Sequence, residues 1–260
     1  MIKNEIEIKV IESSSKGNCI CLFDGSKYLF LDFGSNIANT KNFYNWNLIN
    51  KDKIAGALIT HAHFDHIQSL NDELANNLNV YGTFDTFFNI RKNEYNKNII
   101  TNEIEENKKY KIENSNWSFQ AFKAFHNIEG AVYFLIKNKK TKIVYLTDTE
   151  YAEEIKSNKK INGADIYICE GNYGSTFVDD NKLKEQKHIT NIVNHMNCED
   201  VEQIIKNKTS NKTKLFIVSH VSIKATSFDV LDFIKNQYSN KNMKVEYLLP
   251  QKINHYTFNA

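Results

Sequence analysis

This chain of 260 residues holds one arginine, Arg91, one proline, Pro250, and only four cysteines. With arginine nearly missing, positive charge is almost all lysine. Planar guanidinium forks that grip phosphate through paired hydrogen bonds are therefore almost unavailable, and phosphate contacts fall to lysine point charges. Cys19, Cys21, Cys169 and Cys198 form no Cys-x-x-Cys pair. The pattern argues against a disulfide framework and fits a reducing cytoplasm. No apolar run approaches the length that crosses a bilayer, and Met1-Ile2-Lys3-Asn4-Glu5 lacks the apolar core of a secretory leader. A cytoplasmic protein with no membrane partner is expected. A net charge of +2 does not by itself call for a polyanionic partner. Hydrophobic content of 41% suffices for a core, and the length suits one domain spanning 1–260.

What the chain does hold is Thr60-His61-Ala62-His63-Phe64-Asp65-His66, which sets three imidazoles and a carboxylate within six residues. Imidazole nitrogen and carboxylate oxygen are ligands for zinc, manganese and iron. The apolar run Ile54 to Ile59 before it reads as a buried strand. Ile67, Leu70, Leu74 and Leu78 after it follow helical spacing. The cluster is thus expected on a strand-to-helix turn. A lone His beside a strand is ordinarily structural; four donors in this context are not.

His-x-His-x-Asp-His resembles the hallmark of the metallo-β-lactamase superfamily. The resemblance implies an α/β fold, an αββα sandwich of two mixed β-sheets flanked by helices, with a one- or two-metal site at one edge. Other stretches extend the likeness. Glu5 to Ile11 alternates as a half-buried strand, and Cys19 to Phe23 with Tyr28 to Phe33 reads as a hairpin through Asp24-Gly25. Between them Ser13-Ser14-Ser15-Lys16-Gly17-Asn18 resembles a loop of the YycJ branch. Composition alone leaves a plain β-turn open; the resemblance implies that Ser14, Ser15 and Asn18 are donors to a substrate phosphate. Asp32 ends a buried strand where the superfamily keeps an aspartate that orders the metal loop, although an Asp before Gly34 also suits a plain turn. Thr83 to Lys92 reads as a helix exposing Phe84, Phe87 and Phe88. Those rings suit a core better than a base-stacking platform, and periodicity leaves both open.

His126 follows a strand beginning at Trp117, and Asp148 follows one ending at Leu146. Read alone, Asp148 suits a helix N-cap; the order His126 then Asp148 favours a bridging carboxylate. Glu170-Gly171-Asn172-Tyr173-Gly174 resembles the branch's Glu-Ser-Asn-His-Asp, with Tyr173 and Gly174 departing from it, and suggests a substrate contact for Asn172. His195-Met196-Asn197-Cys198-Glu199-Asp200 resembles another branch motif, and its Glu-Asp spacing prefers His195 over His188. Ser219-His220-Val221-Ser222 resembles the family's last ligand motif. His255 falls outside every motif.

Carried over residue by residue, the resemblance implies that His61, His63 and His126 hold one metal. Asp65, His66 and His220 would hold a second, with Asp148 bridging. Zinc is the expected metal and manganese is compatible. Such a pair supplies a bridging hydroxide and clamps the oxygens of a phosphodiester. Asp65 and Asp148 would serve that step, and His195 would protonate the leaving oxygen or contact the phosphate, unless it is a helix-capping surface residue. A donor set without thiolate favours hard oxygen substrates. The expected activity is a nucleotide phosphodiesterase. Diffuse lysines tilt it toward a cyclic mononucleotide, as in phage-encoded relatives that degrade host-defence signals and would work in a host cytoplasm. A single-strand exonuclease is the alternative. A lactonase, thioesterase or lactamase, or a metal-binding protein without turnover, stands further off. A homodimer is expected from the relatives.

Overall fold

The computed structural model describes residues 6–46, 49–92, 98–139, 141–174, 194–222, 228–249 and 258–259. The strands make two mixed β-sheets with flanking helices, the architecture expected from the motifs. The chain falls into two units.

The first unit comprises Met1–Lys123, Ile128–Lys140 and Gln251–Ala260. β1 (Glu7–Ser14) and β2 (Gly17–Phe23) run antiparallel, with Ser14 opposite Gly17 at their turn. A register shift between Val10 and Glu12 breaks the strict alternation of β1 and lets Ile11 join the core. β3 (Tyr28–Leu31) completes the hairpin. At its turn Gly25 takes φ 83°, and Asp24 Oδ1 accepts the Ser26 and Lys27 N–H groups at 2.9 and 2.8 Å. The chain then alternates α1 (Ile37–Trp46), β4 (Ile54–Leu58), α2 (Phe64–Ile67), β5 (Asn79–Gly82), α3 (Phe84–Lys92) and β6 (Ile100–Glu103). β3, β4, β5 and β6 are parallel neighbours. Their C-terminal ends and the β1–β2 turn therefore share one edge, where ligands bind in parallel sheets.

β7 (Lys109–Lys111), β8 (Trp117–Lys123) and β9 (Val132–Asn138) are antiparallel. Within this unit they meet the first sheet through a Tyr81–Phe119 edge contact at 5.4 Å and through Asn116 and Asn138, whose amides donate to Asp24 Oδ2. Phe258–Asn259 adds a short strand beside β1.

Two expectations are corrected here. The run after His66 is not one amphipathic helix: α2 has four residues, and 3-10 turns follow over Gln68–Asn71 and Glu73–Ala75. Ser69 donates to the Ser35 carbonyl and Asp72 accepts the Leu74 N–H, so short polar side chains capture backbone groups a helix would use. Ile67, Leu70 and Leu78 are nevertheless buried. In α3, Phe87 is core, whereas Phe84 and Phe88 stand in solvent.

The second unit comprises Ala124–Asn127 and Thr141–Pro250. β10 (Thr141–Leu146), β11 (Ile166–Glu170), β12 (Leu215–Ser219) and β13 (Lys244–Tyr247) are parallel in that order. β11 and β12 are buried throughout, as strands covered on both faces must be. α4 (Glu153–Ser157), α5 (Cys198–Lys208) and α6 (Phe228–Tyr238) flank them. Asn197 starts α5 through a reciprocal capping box with Asp200. The crossover from 175 to 193 with His188, and the stretch holding Pro250 and His255, lie outside the described residues.

Candidate metal centre

β4 delivers Thr60 and His61 into the first unit's interior, and the chain turns into α2 across His63 to His66. His61 and His66 are buried, while His63 and Asp65 are half-buried. His61 Nε2 and His63 Nδ1 lie 3.0 Å apart, and Asp65 Oδ2 and His66 Nε2 lie 3.4 Å apart. Two donors each bonded at ~2.0–2.1 Å to one tetrahedral ion would stand about 3.3 Å apart. Both pairs match that spacing, so the donors fit a divalent cation in kind and in separation.

A polar frame holds the rings. Asp32, fully buried, accepts the Thr60 N–H at 2.8 Å and the Thr60 hydroxyl at 3.0 Å, and its Oδ2 lies 2.8 Å from His66 Nδ1. The Thr60 hydroxyl also lies 3.0 Å from His61 Nδ1. With Nδ1 engaged behind, Nε2 of each ring turns to a neighbouring donor, His63 for His61 and Asp65 for His66. The Phe33 N–H donates to the His66 carbonyl at 2.9 Å. Gly34 lies so close to the same turn that a Cβ would sit 1.8 Å from the Asp65 carbonyl oxygen, which explains glycine there. Asn18 is buried; its amide donates to Ser14 O at 2.9 Å and Asp65 Oδ2 at 3.1 Å, and lies 3.1 Å from His66 Nε2. Asn18 thus touches the donors themselves. Ser14 is buried and its hydroxyl accepts the Lys16 N–H at 3.1 Å, while Ser15 is exposed.

The second unit assembles a cluster from five segments. Asp148 follows β10, Glu170 ends β11, and His220 follows β12. His126 and His195 come from connecting segments. Ligand atoms of Asp148, Glu170, His195 and His220 all lie within 4.8 Å of one another. His126 Nε2 stands 3.7 Å from Asp148 Oδ2, and His220 Nδ1 stands 3.2 Å from Asp148 Oδ1. The Thr147 hydroxyl donates to Asp148 at 2.8 Å, and His126 Nδ1 meets the Asn194 carbonyl at 3.0 Å. Asn172 sits behind His220, its amide donating to the His220 carbonyl at 3.2 Å and lying 3.2 Å from Nδ1.

Glu170, quoted above only as a motif letter, proves central. Its carboxylate is fully buried; Oε1 accepts the Thr149 N–H at 2.6 Å and Oε2 meets His195 Nδ1 at 2.7 Å. Burial would push the Glu170 carboxyl up, but the His195 charge and hydrogen bonds from His195 and His220 hold it below its usual range. Burial likewise opposes charge on His195, yet Glu170, aided by Asp148, raises its pKa. His126 is pushed down, by burial first and by His195, against the pull of Asp148. The signal for Glu170 was a carboxylate ending a wholly apolar strand, which needs a buried partner. Thr60 carried no such signal.

Asp32, Asp148 and His220 take φ of 55°, 49° and 52°. The other described non-glycine residues in this region are three asparagines and one lysine: Asn77, Asn107, Asn114 and Lys139. Left-handed backbone costs side-chain-bearing residues about 1–3 kcal/mol. Its recurrence where strands hand over to the donors marks these as built positions.

The His/Asp clusters suit a divalent metal site. Residues 30–220 match the model of the beta-lactamase superfamily domain. Exodeoxyribonuclease YycJ of Bacillus anthracis is 23% identical over 228 residues, covering 84% of this chain and 83% of that protein. Two solved structures share the fold. The metallo-beta-lactamase fold protein YhfI of Bacillus subtilis has TM-score 0.73 and 15% identity over 98% of this chain and all of its own. Zn(2+)-bound PqqB of Methylobacterium extorquens has TM-score 0.69 and 13% identity over 98% and 99%. The chain belongs to the beta-lactamase superfamily and is a metal-dependent hydrolase.

Proposed function

We propose that the chain is a dinuclear-metal phosphodiesterase acting on nucleotide phosphodiester bonds, with both units working as one functional domain. The observation that carries this reading is the donor set, wholly imidazole nitrogen and carboxylate oxygen, which matches hard metals and hard phosphate oxygens. His61, His63 and His126 would hold one ion, Asp65, His66 and His220 the other, with Asp148 shared. Zinc suits the set, and the PqqB neighbour carries zinc; manganese is compatible. When bound, such ions supply a water-derived nucleophile at neutral pH and neutralise charge on the phosphate oxygens.

The rest of the chemistry belongs to the chain's own groups. Glu170 accepts the His195 Nδ1 proton, fixes the ring's orientation and favours its charged form. That leaves Nε2–H to protonate the departing oxygen. Asp32 and Thr60 keep His61 and His66 turned toward their ligand, and Asn172 does the same for His220. Ser15 and Lys16, exposed on the β1–β2 turn, are available to a substrate phosphate.

A single-stranded nucleic acid is the preferred substrate, supported by the exodeoxyribonuclease relative. A cyclic mononucleotide is the second reading, favoured by the near-absence of arginine and the small net charge. A cytoplasmic homodimer is the expected setting. None of the helices among the described residues is long and apolar enough to cross a membrane. A metal-loaded panel decides the matter: 5′-labelled single-stranded DNA and RNA, cyclic mononucleotides, an aryl phosphodiester, a lactone and a β-lactam. Cleavage of strands with little turnover of cyclic nucleotides supports the first reading. Ring opening of cyclic nucleotides alone supports the second. Lactone opening without any phosphodiester cleavage refutes both.

A further inference from the structure

We propose that Phe64, Phe84 and Phe88 form a stacking platform for the unpaired bases of a single-stranded nucleic acid. The inference rests on the phosphodiesterase reading and gives its substrate a binding surface. The three rings are 64%, 57% and 55% exposed, although large apolar side chains gain by burial. Their positions follow from topology. β4 and β5 are parallel neighbours, with Leu58 opposite Tyr81 and the Ile59 N–H donating to the Tyr81 carbonyl at 2.9 Å. Phe64, between His63 and Asp65 after β4, and Phe84, which opens α3 after β5, therefore both follow the C-terminal ends of neighbouring strands.

The rings stand on fixed supports. The Thr83 hydroxyl meets the Thr86 hydroxyl at 2.9 Å and donates to the Gly130 carbonyl at 2.9 Å, and the Val132 N–H donates to the Thr60 carbonyl at 2.9 Å. One hydrogen-bonded frame thus joins the start of α3 to the residue preceding His61. With Phe87 packed in the core, Phe84 and Phe88, one helical turn apart, are held outward with centroids 6.3 Å apart and planes 24° from parallel. A cation stands at the same edge: Lys16 is exposed on the β1–β2 turn, and its carbonyl accepts the Gln68 side chain at 2.8 Å, tying that turn to the segment after α2.

Exposed aromatic rings and a lysine along one sheet edge are what sequence-tolerant strand binding uses, since every base has a π-face.

The test is fluorescence anisotropy of a short 5′-labelled oligo-dT with wild type and with Phe64→Leu, Phe84→Leu and Phe88→Leu, which keep apolar bulk and lose the ring. Each Leu variant is expected to bind about tenfold more weakly, the scale of one lost base stack, and the matching Phe→Trp variant to regain affinity. Equal affinity for wild type and all Leu variants overturns the proposal. So does a change from dimer to monomer in the Leu variants with affinity unaltered, or failure of wild type to bind oligo-dT. Wild-type hydrolysis of bis(p-nitrophenyl) phosphate is followed in parallel. Cleavage of that ester with affinity indifferent to the rings removes the platform and leaves the phosphodiesterase reading standing. Ring-dependent binding without ester cleavage does the reverse.

Discussion

The first unit's donors, His61 to His66, sit within one short turn and are steadied by groups behind them: Asp32, Thr60 and the tight approach of Gly34. The second unit's donors come from five segments between His126 and His220. They are steadied by pairing among themselves, with Glu170 and His195 at its heart. A contiguous cluster can be fixed by hydrogen bonds from its own strand and the next. A dispersed one depends on several parallel strands ending at one level, and it uses charge to gather side chains that no turn holds.

That contrast can be attacked at four points. The largest effect is expected from Asp148→Asn, which keeps a side chain tolerant of the left-handed backbone while removing the carboxylate. Hydrolysis of single-stranded DNA should fall at least about a thousandfold, with the circular dichroism spectrum unchanged. Residual activity near wild type would mean the dispersed cluster is dispensable.

Next comes Gly34→Ala. The added carbon would overlap the Asp65 carbonyl, so the turn must move; a loss of roughly 3 kcal/mol or more is expected in urea unfolding. A loss under about 1 kcal/mol would show that the turn is slack. Asp32→Asn should leave the fold in place and weaken zinc affinity about 10- to 100-fold, measured by chelator competition.

The smallest effect concerns the ion pair. Glu170 has a depressed pKa, so its contribution is present above about pH 4.3 and fades as pH falls through its folded value. His195 has a raised pKa, so its contribution is complete below about pH 6.5 and fades as pH rises through its folded value. In metal-free protein, the gap in melting temperature between wild type and Glu170→Gln should therefore be widest between those limits and shrink on either side of them. A gap independent of pH would remove the ion pair from the account.

The same contrast governs what could be read from the sequence. His61 to His66 was legible because its chemistry and its strand-and-turn setting are contiguous. His126, Asp148 and His220 were legible mainly through family resemblance, since each alone is an ordinary residue at a strand end. Glu170 escaped because its partner is 25 residues away and only the folded chain pairs them. The α3 helix was placed within one residue. The run after His66 was misread because its apolar spacing is helical, while Ser69 and Asp72 tie up the backbone in ways spacing cannot reveal. The exposure of Phe84 and Phe88 was likewise undecided by periodicity, because an apolar residue on a helix signals a core only if something covers it.

Metal stoichiometry tests the proposed two-metal centre most directly. Zinc bound per chain, measured after loading and dialysis of wild type and Asp148→Asn, should be two for wild type and lower for the variant. One tightly bound zinc in wild type, or two in both proteins with equal affinity, would contradict it.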